Sequence, residues 1–305
     1  MSKFIFTVDW EDFGQLYSWY QFKKILPPQK NIDRQTNIIL EQLSRYDIKA
    51  TFFVLGMLAK HCPDLVKKIS AQGHEIALHG FNHIDLNLLD RKEIEADIAL
   101  SKDIVTQITG KPVLGYRAPF FSLTANRLFV LEVLSEMGFL YDSSIYPASA
   151  ARFSIPGFSP AFQNYQLKKG TDIVELPMTT YPLRNWRLGF TGGGYMRLAP
   201  KQLLRNVIKK LSVIEEFTML YMHPYEFDNE RISVEAYQEE GYKFNPLKKN
   251  LLDFRWNLFR NSIIHKLDKV FETYGAQFQT CEEAANIIKE RPLEILKEYS
   301  SDIKN

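Results

Sequence analysis

The sequence predicts an α/β protein, built of βα units around a parallel sheet or barrel. Three observations carry that prediction. Short apolar runs rich in β-formers alternate with longer amphipathic stretches along the whole chain. The 305 residues are 45% hydrophobic and 24% charged, the balance of a folded chain with a large core. Polar side chains able to do chemistry stand at the carboxyl ends of five predicted strands that are distant in sequence, where barrel enzymes place their active sites.

In chain order, the first strand is Lys3 to Val8, a Phe-Ile-Phe-Thr-Val run that leads into Asp9-Trp10-Glu11-Asp12. Apolar residues returning at three and four predict a helix over Asp33 to Arg45. Ala50 to Leu55 is the second strand, and Pro63 to Gln72 the helix after it. The third strand, His74 to Leu78, runs into His79-Gly80-Phe81-Asn82-His83. A helix over Lys92 to Ile108 precedes a strand at Pro112 to Tyr116, which leads into Arg117-Ala118-Pro119-Phe120. A helix over Asn126 to Met137 is followed by strands at Phe139 to Tyr141, ending at Asp142, and at Asp172 to Leu176. The helix from Pro200 to Phe217 shows its period in Leu203, Val207, Leu211 and Ile214. The seventh strand, Met219 to Met222, ends at His223-Pro224. A long helix over Asn250 to Tyr274 and a weaker strand at Ala276 to Gln279 complete the pattern.

Between Pro147 and Pro200 the rhythm breaks into a stretch rich in Pro, Gly and aromatics, centred on Thr191-Gly192-Gly193-Gly194-Tyr195. No Gly-Lys-Ser/Thr follows the triple glycine, so a tight turn bringing backbone close to a ligand is favoured over a phosphate cradle. The organisation expected is one domain over residues 1–305, with an inserted elaboration over 147–200 and a helical C-terminal extension over 250–305.

Composition excludes several function classes. With 38 basic against 36 acidic side chains the formal charge is +2, which gives no electrostatic reason to expect a nucleic-acid or membrane partner. Cys62 and Cys281 alone cannot form a disulfide framework or a four-cysteine zinc site, so any metal must be held by His and carboxylate. The amino terminus reaches Asp9 before an apolar signal could form, and no apolar run approaches the ~18–20 residues that span a bilayer. The expected compartment is the cytoplasm.

His79 and His83, four apart, would place two imidazoles on one side of a helical turn. With a carboxylate they form a plausible two-His-one-carboxylate metal site. Gly80 stands where a zinc-protease helix would carry its Glu base, so that motif is excluded. The bland alternative is a turn-capping His and a surface His. Asp9, Glu11 and Asp12 weigh against it, because three neighbouring carboxylates repel unless a cation sits among them. Arg117 is the natural companion of a buried Asp9, able to hold it ionised, although such an Arg could equally pair with a surface Glu. Pro119 fixes the local backbone so that the Phe120 N–H could serve as an oxyanion donor. His223 is placed to give a proton to a leaving group; alone it would read as a core histidine. Trp10, Tyr116, Pro119, Asp142 and Tyr225 are the candidate substrate contacts. The aromatic ones, together with Phe121 and Trp186, could stack on sugar rings or simply pack.

These segments resemble the polysaccharide deacetylases carrying the NodB homology domain, carbohydrate esterase family 4. The matching stretches are Phe6 to Asp12, Ala50 to Gly56, Gly73 to His83, Gly115 to Phe120 and Tyr221 to Pro224, in the family's order and covering residues 3 to 225. Tyr141 to Pro147, Gly192 to Arg197 and His223 to Asp228 resemble the subgroup found with bacterial exopolysaccharide and capsule genes. The resemblance implies a distorted (β/α) barrel of about seven strands, Asp9 as general base, Arg117 orienting it, His79 and His83 as metal ligands and His223 as general acid. It also implies a divalent metal, most often zinc, with cobalt, nickel or iron as the other candidates, and an N-acetylated glycan or lipid-linked sugar as substrate. The family's commonest first motif has two adjacent aspartates. Here Trp10 follows Asp9, so the third ligand is Glu11, if the strand stays extended, or Asp12, if the chain turns at Trp10. Two other functions fit the residues less fully: hydrolysis of a small cyclic amide or ureide at the same site, and glycan binding by an inactive one.

Overall fold

The computed structural model describes residues 2–22, 31–149, 151–168, 170–238 and 242–298. The elements run β1 (Lys3–Trp10), α1 (Phe13–Phe22), α2 (Asn31–Arg45), β2 (Thr51–Val54), α3 (Gly56–His61), α4 (Pro63–Ala71), β3 (Glu75–Leu78), α5 (Arg91–Thr109), β4 (Gly115–Tyr116), α6 (Phe129–Glu136) and β5 (Tyr141–Asp142). They continue with β6 (Gln163–Gln166), β7 (Asp172–Glu175), β8 (Tyr181–Leu183), β9 (Trp186–Leu188), α7 (Gly193–Leu198), α8 (Lys201–Ile214) and β10 (Phe217–Met222). The chain closes with α9 (Pro246–Asn257), α10 (Ile263–Tyr274), β11 (Phe278–Gln279), α11 (Cys281–Lys289) and β12 (Glu294–Ile295).

The seven strands expected with most force are neighbours in one parallel order, β10-β1-β2-β3-β4-β5-β7. Three short strands add to that sheet. β11 pairs with β1, β6 runs antiparallel to β7, and β12 joins β6. Among the described residues no ladder joins the β10 edge to the β12 edge. Single contacts bridge toward β10 instead: Met219 N donates to Thr179 Oγ1 at 2.8 Å and Tyr221 N to Thr191 O at 3.1 Å. This mostly parallel α/β fold is consistent with a distorted barrel.

The period-two alternation of the strands divides the core. On β1, Phe4, Phe6, Val8 and Trp10 pack with the helices, against residues such as Ile39, Leu58 and Leu134. Ile5 faces the other way, into a cluster with Phe53, Ala77, Tyr141, Val174, Met178 and Met219. Both faces are covered, which is why this strand tolerates so little polarity, and each large apolar side chain so buried contributes roughly 1.5–3 kcal/mol. By the same alternation Thr7 and Asp9 share the face of Ile5. The inner face is therefore apolar at the amino end of the strands and turns polar at the carboxyl end.

Local chemistry fixes the helix ends. Asp90 and Glu93 form a reciprocal capping box at the start of α5, and Gly110, at φ +66°, closes it in the left-handed region. In α8 the buried stripe is Leu204, Val207, Ile208 and Leu211, whereas Leu203 and Ile214 are exposed, so the inward face is rotated from the one the periodicity suggested.

The predicted helix over 250–274 is two helices. Phe259, at φ +57°, breaks it, and α9 begins earlier, at a cap formed by the Asn245 side chain. Nor is the C-terminal extension only helical. It returns to the sheet through β11 and β12, and its last residues, 299–305, lie outside the described residues. The elaboration over 147–200 holds β6, β7, the β8–β9 hairpin and α7, whose first turn is made by the triple glycine.

Candidate metal centre

At the end of β1, Asp9 meets Arg117, which follows β4. Arg117 Nη1 donates to Asp9 Oδ1 at 2.6 Å and to Thr7 Oγ1 at 2.9 Å, and Nη2 donates to Ser143 Oγ at 3.1 Å. The guanidinium is fully buried and lies 3.9 Å from the centroid of the Phe53 ring. Burial alone would raise the Asp9 pKa, but the charges of Arg117, His79 and His223, with the Arg117 hydrogen bond, hold the carboxyl below its usual range.

Beyond Asp9 the chain folds back tightly, Glu11 N donating to Asp9 O at 3.0 Å, and Glu11 is turned inward and buried. Asp12 goes elsewhere: its Oδ1 accepts from Gly14 N at 2.7 Å at the start of α1. Glu11, not Asp12, is gathered with His79 and His83, one ligand atom of each lying within 4.8 Å of the others. His79 and His83 sit in an irregular turn instead of a helical one. Gly80 (φ +76°) and His83 (φ +55°) both adopt left-handed backbone, and Asp97 Oδ2 accepts from Phe81 N at 2.8 Å, so the imidazole centroids come within 5.2 Å.

His79 Nδ1 is 2.8 Å from Arg117 O. A carbonyl can only accept, so Nδ1 carries a proton, and burial, by lowering the ring's pKa to about 4, leaves Nε2 its lone pair, the tautomer a metal ligand needs. Glu11 Oε2 lies 2.7 Å from His83 Nε2 and Oε1 lies 3.3 Å from His223 Nε2. Yet neither carboxylate oxygen finds hydrogen-bonding geometry, and both are buried, as is the unpartnered Nδ1 of His83. Buried polar atoms left this way cost about 1–3 kcal/mol each, a penalty that a cation held by these residues would offset. One carboxylate and two imidazoles suit zinc and similar divalent ions.

On the other side of Glu11, His223 follows β10. Glu226 Oε2 accepts from the His223 backbone N at 3.0 Å and lies 3.2 Å from its Nδ1. Burial lowers the His223 pKa, but the Glu226 hydrogen bond and the charges of Glu11, Glu226 and Asp9 outweigh it and push the value up to about 9. The triple glycine belongs here. A Cβ on Gly193 would sit 1.8 Å from Glu226 Oε2, and one on Gly192 would sit 2.4 Å from the Tyr221 ring. Their close approach is to protein side chains.

Opposite, Phe120 and Phe121 follow Pro119 with φ of +58° and +53°. This strained pair leaves the Phe120 N–H without an acceptor among the described residues, while Ala118 N donates to Ser144 Oγ at 2.8 Å.

The expected substrate contacts are placed differently. Trp10 is buried, with Nε1 donating to Thr36 Oγ1 at 2.8 Å. Tyr116 lies in the helix-side core, and Tyr225 packs among Phe13, Trp256 and the His223 ring. Asp142 accepts from Ser144 N and Ser144 Oγ, and Pro119 packs against Gly80. None of the five presents an open surface, since all are buried. Sequence reasoning assigned no role to Glu226, Thr7, Ser143 or Ser144. For Glu226 a signal existed, a carboxylate three residues after His223 across Pro224.

A family model described as polysaccharide deacetylase matches residues 27–141, and another, described as a domain of unknown function (DUF3473), matches residues 143–285. The peptidoglycan-N-acetylglucosamine deacetylase of Bacillus cereus is 32% identical over 90 residues, 30% of this chain and 33% of its own length. The chain spans about a third of the length of the first curated relatives it matches, 36% and 33%. Among solved structures, a Mycobacterium smegmatis protein described as a polysaccharide deacetylase superposes with a TM-score of 0.62 at 18% identity, over 97% of this chain and 94% of that one. Puue allantoinase superposes with a TM-score of 0.57 at 17% identity, over 93% and 88%. At these identities the two solved structures share the fold.

Proposed function

Because the chain belongs to the NodB-type polysaccharide deacetylases of carbohydrate esterase family 4, we propose that it is a metal-dependent hydrolase. Its substrate in this reading is an N-acetyl group on a bacterial surface polysaccharide, or on a lipid-linked or nucleotide-linked precursor. The observation that carries the reading is the buried meeting of Glu11, His79 and His83 beside the Asp9–Arg117 pair and His223.

A divalent cation held by Glu11, His79 and His83, zinc first among the candidates, would supply the polarisation that brings the pKa of water from 15.7 toward ~7. Asp9, kept ionised and aimed by Arg117, takes the proton of the attacking water as the C–O bond forms at the acetamide carbon. Phe120 N–H donates to the oxygen that becomes negative; one such donor is worth roughly 3–4 kcal/mol of barrier in a protease. His223, held protonated by Glu226, passes its proton to the sugar nitrogen as the C–N bond breaks, leaving acetate and a free amine.

The test is acetate release by chelated and metal-reloaded protein from N-acetylated oligosaccharides and from nucleotide-linked and lipid-linked N-acetyl sugars, with small cyclic amides and ureides alongside. Release from the glycan arm that chelation abolishes and zinc or cobalt restores is expected. Burial of Trp10, Tyr116 and Tyr225 keeps one rival in the panel, since it leaves none of these rings open to stack on a sugar. Turnover of cyclic amides with silence from every glycan would establish that rival.

A further inference from the structure

Helix α9 is apolar on two sides. Leu252 and Trp256 pack inward, in the aromatic cluster that also holds Tyr225. Leu247, Leu251 and Phe254, at helical spacing on the opposite side, are 80%, 68% and 63% exposed, and Phe259 just beyond is 56% exposed. Three large side chains in one outward row are more than scattered surface apolarity. The charges of α9 are Lys248, Lys249 and Arg255 against Asp253 alone. Asp253 is buried and bound by Lys249 at 3.1 Å, so Lys248 and Arg255 face outward uncompensated by any acid of this helix.

A second feature lies beside it. The groove of about 350 Å³ between α8 and α10 has an apolar floor of Leu204, Ile208 and Val270 and a basic rim of Lys201, Arg205 and Lys209, with Lys269 paired to Glu272 at 2.6 Å. The two meet at the end of α7. Arg197 Nη1 donates to Trp256 O at 2.8 Å, and Lys266 Nζ donates to Arg197 O at 2.6 Å.

We propose that the outer face of α9, with the basic α8–α10 groove beside it, docks this protein on an anionic phospholipid surface. An apolar row flanked by Lys and Arg is the signature of a helix lying in the headgroup plane, and phosphate headgroups complement both the flanks and the groove. A second copy of the chain is the poorer occupant, because a two-fold contact would set Lys248 and Arg255 against their own images. Net charge concealed the feature: +2 over the chain describes the average, whereas Lys248, Arg255, Lys201, Arg205 and Lys209 gather here, with Glu235 and Glu272 pairing only Lys249 and Lys269. On its inward side α9 packs Trp256 6.0 Å from Tyr225, whose ring stacks on His223. Binding itself requires no activity, so the proposal stands apart from the deacetylase reading.

The test is co-sedimentation of full-length protein with phosphatidylcholine vesicles, with and without phosphatidylglycerol, at low and high salt. Wild type should partition about tenfold or more in favour of the anionic vesicles and lose that preference in high salt. The variant L251E/F254E should lose about tenfold or more of its partitioning at unchanged melting temperature, and K201E/R205E should flatten the salt dependence. Equal binding to neutral vesicles, no binding to either, or a variant L251E/F254E that binds like wild type would overturn the proposal. A wild-type dimer that the same variant makes monomeric, without vesicle binding, would assign the face to a second copy instead.

Discussion

Replacing Arg117 with Met tests the electrostatic logic of the site in a way that needs no substrate. In the native protein the guanidinium is shared among Asp9 Oδ1, Thr7 Oγ1 and Ser143. Two of those acceptors survive its loss, because the Thr7 hydroxyl still donates to Leu220 O at 3.1 Å and the Ser143 hydroxyl to Leu176 O at 2.8 Å. Asp9 does not: it is left as a buried carboxylate without its cation. Stranding one member of a buried pair costs about 3–5 kcal/mol, which at about 2 °C per kcal/mol lowers the melting temperature by roughly 6–10 °C. The double variant D9N/R117M strands no charge, so it should be less destabilised than R117M alone. The cycle should therefore show a coupling on the order of 3 kcal/mol. Urea denaturation of wild type, both single variants and the double variant, all in chelator so that metal binding cannot contribute, measures this. A double variant destabilised by the sum of the singles would refute the pairing.

Three shorter predictions follow from other contacts. Glu11→Ala should abolish zinc binding in a calorimetric titration, whereas Asp12→Ala should retain it and lose about 1 kcal/mol of stability through the start of α1; the opposite pattern would make Asp12 the ligand. Gly193→Ala must displace Glu226, so acetate release should fall at least about tenfold, while Gly194→Ala, where a Cβ meets nothing within 4 Å, should leave it unchanged. His74 is buried, accepts from Ala50 N at 3.2 Å, and has its pKa lowered by burial, then by Lys49, to about 4. The unfolded chain therefore binds the proton first, and His74's contribution is full above pH 6.5 and lost as pH falls through about 4. His74→Gln should flatten the stability profile across that window, and an unaltered profile would remove His74 as its source.

Much of the fold was legible because β1, β2, β3 and β10 are buried on both faces, and such strands leave apolar runs that local sequence displays. The polar residues that end those runs marked the site for the same reason: a carboxylate or imidazole directly after such a run has little reason to be there unless it is used. Elements stabilised by distant partners were hidden. β6 and β12 had no counterpart among the predicted strands: β6 is held by its antiparallel pairing to β7, and β12, two residues long, by β6. The triple glycine read as a loop, yet it opens α7, because Tyr221 and Glu226 leave no room for a Cβ. Among the stacking candidates Trp186 is 58% exposed, whereas three others are closed off on the same ground. Trp10, Tyr116 and Tyr225 lie next to site residues in sequence, but alternation along β1 and β4, and packing against α9, turn them into the core.

The charge of the assembled centre explains why its orphaned atoms are best read together. Asp9, Glu11 and Glu226 bring three negative charges, against the positive charges of Arg117 and His223, while burial lowers the His79 pKa to about 4 and keeps that ring neutral. The protein alone therefore presents an excess negative charge to a carbonyl oxygen that must itself become negative, the wrong sign for catalysis of acyl transfer. A divalent cation would reverse the sign of the excess, and it would do so beside Glu11, whose oxygens lie 2.7 Å from His83 Nε2 and 3.3 Å from His223 Nε2 without good hydrogen-bond geometry to either. The same cation that relieves the buried carboxylate would make the pocket complementary to the transition state, which ties stability of the site to its activity. Chelation should accordingly lower the melting temperature of wild type and leave that of Glu11→Ala unmoved. A wild-type melting temperature indifferent to chelator and zinc alike would break that tie and leave the orphaned oxygens of Glu11 without an explanation.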